Sequence, residues 1–190
     1  MGSYQMVLGV KENLSLSIVI FIIVTIAAYL DLRLHKIPNI LTYPSMILAL
    51  CFYGSIFGLK GFLYSLAGIG TGIGLLILPY ALGGMGAGDA KLLGAVGGLI
   101  GARAVVVTFL YIALIGCLYA ALLIIVKRKR FKGYLSDLWT TIKLFFLTKK
   151  IILDPPHVQK SRPKVYYGIA IAAGTICYVV LEWTGRQIIA

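Results

Sequence analysis

The chain has 190 residues, of which 60% are A, V, I, L, M, F, W, Y or C and a further 22 are glycine. An average soluble domain holds only ~45–50% apolar residues and glycine combined. The 18 basic and 6 acidic residues, a balance of +12, are too few to clothe a globule. This composition excludes a soluble enzyme, a disordered tail and a disulfide-rich secreted module, and leaves a polytopic membrane protein.

Uncharged stretches set the organisation. They run over Asn13–Leu30, Ile37–Leu59, Gly61–Gly88, Leu92–Ala102, Ala104–Val126 and Val165–Leu181. A spanning helix needs ~20 residues for ~30 Å of hydrocarbon, so five of the six qualify or nearly so, and the fourth is short. The expected fold is an all-α membrane protein, a polytopic bundle of about six transmembrane helices forming one integral-membrane domain over residues 1–190. Lys11-Glu12 give the first span no net positive flank and no small-residue cleavage site follows, so it does not read as a cleavable signal. Pro38-Asn39 breaks the chain after the first span, and Asn39 or Thr42 is expected to cap the next helix. Lys60-Gly61 is expected to make the second turn. Gly68, Gly70, Gly72 and Gly74 in the third span follow no strand. They read as small residues for close helix approach and not as a nucleotide-binding loop. Cys51, Cys117 and Cys177 stand alone in apolar runs and read as small core residues, with no disulfide and no zinc site.

Eleven of the 18 basic residues fall between Lys127 and Lys164. Next to apolar spans, this segment reads as a cytosolic loop facing anionic lipid, not as a nucleic-acid-binding face. Within it Leu135, Leu138, Trp139, Ile142 and Phe145-Phe146 recur at helical spacing among lysines, which predicts an interfacial helix over 131–149. Asp154-Pro155-Pro156 ends any such helix. Six crossings with this loop inside place 14 basic residues inside and 4 outside; a re-entrant fourth segment gives 13 and 5. In both arrangements two full spans separate residues 31–40 from 83–88, so the two regions share a membrane face.

Of the six acids, Glu12 and Glu182 flank spans, and Asp137 and Asp154 sit in the basic loop, where solvated or lysine-paired carboxylates need no function. Asp31 and Asp89 differ. Asp31 ends the first span, and Asp89 opens the short fourth segment after 28 uncharged residues. From Asp89 to Ala102 is ~21 Å of helix, so a crossing segment leaves Asp89 below the membrane surface. An intramembrane carboxylate is a functional candidate by default; the plainer alternative is an ion pair with Lys91 or Arg33. Glycines before Asp89, in Gly83-Gly84-Met85-Gly86-Ala87-Gly88-Asp89, give a backbone that turns sharply and admits close approach. Two carboxyls held together share a proton, the arrangement of aspartic-protease chemistry.

Gly86-Ala87-Gly88-Asp89 is a GxGD motif, and with Ala90-Lys91-Leu92-Leu93 it resembles the second catalytic motif of the prepilin peptidases. The stretch from Asp31 through Ile37-Pro38-Asn39 to Leu41-Thr42 resembles their first, and Tyr167-Gly168 to Gly174 resembles their last helix, with Tyr166 where proline is usual. The resemblance implies a membrane-embedded aspartic endopeptidase that removes the leader of type IV pilin-like precursors at the cytosolic face of the cell membrane. It implies Asp31 and Asp89 as the catalytic pair, Gly86 and Gly88 as shapers of the turn, and Lys91 as a residue that biases the pair or binds substrate. Its partners are then a prepilin and membrane lipid, with no nucleic acid. The chain lacks the cytosolic insert with paired CxxC motifs that bifunctional members use for methyl transfer, so it is similar to the short, peptidase-only form that serves Flp/Tad-type pili. Neither cofactor nor metal is expected, because the two histidines, His35 and His157, lie in loop-like surroundings and zinc wants three or four ligands. Presenilin-like enzymes share GxGD, but no Pro-Ala-Leu motif is present and Leu30, not Tyr, precedes Asp31. Two other readings compete. A proton- or ion-coupled transporter predicts a broken-helix repeat between the halves, and none is visible. A non-catalytic pilus-assembly protein would keep the helices without needing both acids.

Overall fold

The computed structural model describes residues 14–81, 85–126 and 167–185. The loop 127–164 with its expected interfacial helix over 131–149, together with Asp137 and Asp154, lies outside the described residues. Five helices are described: α1 (Leu14–Leu34), α2 (Asn39–Ala81), α3 (Ala87–Ile100), α4 (Ala102–Val126) and α5 (Tyr167–Thr184). The fold is all-helical, with no strand among the described residues. The chain divides into two compact units, residues 1–116 with 166–190, and residues 117–165. The relationships described below fall within the first.

Four helices, α1, α2, α4 and α5, are long and apolar enough to cross a membrane. The difference from six expected crossings lies in α3, whose 14 residues fall short, and in α2, whose 43 residues are not one straight rod. Gly58 breaks α2 with φ 61° and ψ −145°, a left-handed backbone that glycine adopts without Cβ strain. Beyond it the chain turns back: the Tyr53 and Tyr64 rings stand 5.2 Å apart, where 11 residues of straight helix would separate them by ~16 Å. The turn therefore falls at Gly58, the non-helical residue inside α2, and not at Lys60-Gly61; Gly61 instead packs against the Tyr53 backbone, where a Cβ would not fit. Neither expected cap forms through its side chain. The Asn39 side-chain oxygen accepts from Lys91, and the Thr42 hydroxyl donates to the Asn39 carbonyl at 3.5 Å.

α3 is the centre of the fold. Eleven of its 14 residues are buried, as expected of a helix apolar all round. Gly94 and Gly98 let both limbs of α2 close on it: a Cβ at Gly94 would crowd Ile73 and Met46, and one at Gly98 would crowd Ile69 and Ala49. The second limb of α2 adds glycines of its own: Gly68 meets Gly97 backbone to backbone, and Gly72 meets Leu93. The close approach expected of the α2 glycines thus belongs to Gly68 and Gly72, one helical turn apart; Gly70 and Gly74 face open space. Hydroxyls finish the far end of α3. Ser65 donates to the Gly98 carbonyl (3.0 Å), Tyr53 to Leu99 (2.7 Å) and Tyr64 to Ile100 (2.7 Å). These carbonyls have no helical partner, and in hydrocarbon no water would serve them. Gly101, with φ 89°, then passes the chain directly into α4.

On the remaining side α1 and α5 run antiparallel. Trp183 Nε1 donates to Ser17 Oγ at 3.1 Å at one end, and Gly168 meets Asp31 at the other. Ile20, Val24, Leu92, Leu93, Val96 and Ile171 join one apolar core. Outside it, large apolar side chains such as Ile40, Leu59, Leu78 and Ile125 are exposed, a surface suited to lipid and not to water. Cys51 and Cys117 lie on the exposed surface and Cys177 is half-buried, so the first two are not the core residues their surroundings predicted.

Candidate active site

Both acids are buried, each at 7% exposure, although they are carboxyls. Asp31 sits one turn before the end of α1, where the chain must leave the helix to reach Pro38. His35 makes that exit with φ 53°, and its N–H still donates to the Asp31 carbonyl at 2.9 Å. Histidine enters the left-handed region less readily than glycine but more often than bulkier residues. Ile37, buried in the core, anchors the link between α1 and α2.

Asp89 is the third residue of α3. Gly86, extended at φ −83° and ψ 151°, precedes the helix, and its N–H donates to Asp89 Oδ2 at 3.0 Å. This is the N3 half of a capping box, in which an acid reaches back to the residue before the helix. Gly88 carries the turn onto the other motif: a Cβ there would stand 3.0 Å from both the Cβ and the carbonyl oxygen of Ile37.

The third contribution comes from α5. The Gly168 N–H donates to Asp31 Oδ2 at 2.9 Å, across 137 residues of sequence. The Gly88 contact with Ile37 sets the turn that carries Asp89 against the link that follows Asp31. Each carboxyl thus sits in the first turn of a helix or against one, where free N–H groups and the helix dipole favour negative charge.

Lys91 does not turn to either acid. Its ammonium donates to Asn39 Oδ1 at 2.9 Å and lies 4.8 Å over the Tyr43 ring. Arg33 stacks on Tyr29 at 5.2 Å. The ion-pair alternative for Asp89 therefore gives way to backbone hydrogen bonding. Of the residues marked in the sequence, Gly86 is bonded to Asp89, Gly88 packs on Ile37 in the link that follows Asp31, and Lys91 is bonded to Asn39 in α2. Gly168, Asn39 and Tyr43 are additions to the residues singled out for a role. For two of them a signal exists, since Asn39 lies in the stretch that resembles the first motif of the prepilin peptidases and Tyr167-Gly168 opens the one that resembles their last helix. Among the described residues no three His, Cys, Asp or Glu gather as a metal site would require.

Residues 18–121 match the type IV leader peptidase family, more than half of the chain and the segment that carries both acids. The chain belongs to the type IV leader peptidase family. Neither a curated protein nor a solved structure matches it significantly. Membership gives the chain a leader-peptidase function in general, and pilin-like precursors as its general class of substrate. Gly168 lies beyond the matched residues.

Proposed function

We propose that this leader peptidase is an aspartic endopeptidase in which Asp31 and Asp89 are the catalytic pair, cutting the leader from a type IV pilin-like precursor at the cytosolic face of the cell membrane. One observation carries the reading: two carboxyls from different helices are both buried, each holding one oxygen on a backbone N–H. In the proposed reaction the two carboxyls share one proton, as paired carboxyls held together do. The ionised member takes a proton from a water while that water's oxygen bonds to the scissile carbonyl carbon. The protonated member gives its proton to the carbonyl oxygen, which makes a gem-diol. In the second step the acid that gained a proton passes it to the leaving nitrogen as the C–N bond breaks. The other recovers its proton from a gem-diol hydroxyl as the new carboxyl forms, and the pair is restored.

The cytosolic placement rests on the basic loop, and the peptidase-only character on the missing CxxC insert. In this reading both limbs of α2 cross the bilayer, each long enough at roughly 28–35 Å, and α3 crosses with its far end sealed by Tyr53, Tyr64 and Ser65. The test is to incubate the purified protein with candidate prepilins in detergent and sequence the product's new N-terminus. Cleavage is expected to persist in EDTA, and the new N-terminus to stay unmethylated with S-adenosylmethionine present. Metal-restored cleavage, or a methylated product, would overturn the corresponding part.

A further inference from the structure

We infer that Gly168 is a positioning residue for the reaction: its N–H, matched by that of Gly86 on the other acid, ties one oxygen of each carboxyl so that the two untied oxygens handle the shared proton and the water. The inference rests on the proposed catalytic pair and adds a third helix, α5, to it.

The geometry is tight on both counts. The donor stands 2.9 Å from Asp31 Oδ2, and Gly86 stands 3.0 Å from Asp89 Oδ2. A carboxyl rotates about its own bond unless something holds one oxygen, and a hydrogen bond to a charged acceptor in a low-dielectric site is among the stronger holds available. The two donors therefore set the rotation of both acids before substrate arrives, which is the preorganisation that a proton-sharing pair needs. Glycine is required at 168 for a separate reason. A Cβ there would stand 2.8 Å from both Asp31 Cβ and Asp31 Oδ2, and 3.0 Å from Cγ, so any side chain would push the carboxyl out of place. An alternative is that Gly168 only lets α1 and α5 pack, as Gly174 lets α5 pack on Ile112.

Replacing Gly168 by glycolic acid removes the N–H and adds no Cβ, so packing is preserved while the donor is lost. The same exchange at Gly174 removes an ordinary helical N–H from the same helix and serves as the control. Both are measured in the full chain for thermal stability, for kcat and KM on a prepilin, and for the ¹³C carboxyl signal of Asp31. We expect equal loss of stability in the two. In Gly168→glycolate alone, kcat should fall by roughly a hundredfold, the scale of a small misplacement of a reacting group, with KM unchanged and the Asp31 signal moved. Gly168→Ala should show the same kinetic split. An unmoved Asp31 signal would show that this hydrogen bond does not hold the carboxyl. A moved signal with kcat equal to the Gly174 control would reduce Gly168 to packing. An intact chain that cuts no prepilin would instead sink the proposed function, and the positioning role with it, while the carboxyl signal still reports on the bond.

Discussion

Lys91 reaches across from α3 to Asn39 at the start of α2, donating at 2.9 Å to its side-chain oxygen while lying over the Tyr43 ring. The two stretches that look like separate motifs in the sequence are therefore one object in space. Gly88 against Ile37 fastens them at the backbone, and Lys91 with Asn39 fastens them through side chains two residues past the acid. A cation engaged this way makes no ion pair with Asp89, and it ties the α3 N-terminus to the start of α2.

That role has a measurable size. Lys91→Met and Asn39→Leu are each expected to lower stability, and the double variant by less than their sum. The coupling should be ~1 kcal/mol, the usual net value of such a bond, read from unfolding of the purified protein. Additive losses would show that the two side chains do not depend on each other.

The glycines of α2 divide by face. Gly68→Ala and Gly72→Ala place a methyl into the backbone of α3, at Gly97 and Leu93, and each should cost ~1–3 kcal/mol as an overpacked contact. Gly70→Ala and Gly74→Ala meet nothing within 4 Å and should be neutral or gain up to ~1 kcal/mol from helix propensity. Thermal stability in detergent checks the contrast, and equal losses at all four would contradict it.

The far end of α3 gives a second stability test, separated from chemistry. Tyr53→Phe, Tyr64→Phe and Ser65→Ala each leave a buried carbonyl without its donor, at a cost of ~1–3 kcal/mol. From Asp89 to Ile100 is ~16 Å of helix. Cleavage per folded molecule should therefore stay near wild type, and a specific loss of kcat would tie this end to the site.

How much of the fold and site is legible in the sequence depends on the kind of contact. Charge silence over some 20 residues reports a span directly, so α1, α4, α5 and both limbs of α2 are visible there. So is the shortness of α3. Asp31 and Asp89 stand out because a carboxyl beside a long uncharged run is costly to keep without a use, and their motifs point to a family. The exact reversal point is not legible, since Gly58 and Gly61 look alike until the positive φ at one and the crowding at the other are seen. Lys91 misleads for a similar reason: charge suggests an acid as its partner, but an amide and an aromatic ring, 52 and 48 positions away in sequence, hold it instead. Gly168 is visible only as part of a family-like stretch, because a backbone donor leaves no side-chain signature.

The membrane orientation is open to a direct check. Basic segments gain about 1 kcal/mol per Lys or Arg beside anionic lipid, which favours the cytosolic side for the segment from Lys127 to Lys164. A cysteine introduced at Lys160, with the native cysteines replaced, should be labelled only from that side. Labelling from outside intact cells would reverse the topology and the side on which cutting occurs.

The decisive comparison concerns the acids. Asp31 and Asp89 are both buried, each held by a glycine N–H, and in the proposed reaction each performs a different half of one proton exchange. Residues that act as a unit lose their function together, so removing either should cost nearly as much as removing both. Asp→Asn keeps the size of the side chain and an oxygen to accept from Gly168 or Gly86, but it cannot carry the proton. Asp31→Asn and Asp89→Asn are each expected to abolish prepilin cleavage, with insertion, thermal stability and substrate binding retained, and the double variant should be no worse. Asp137→Asn and Asp154→Asn, in the basic segment, should keep most activity. Substantial cleavage by either single variant of the pair, at normal protein levels, would refute the assignment. Equal loss in the Asp137 and Asp154 variants would show that burial and backbone anchoring do not set Asp31 and Asp89 apart from the rest.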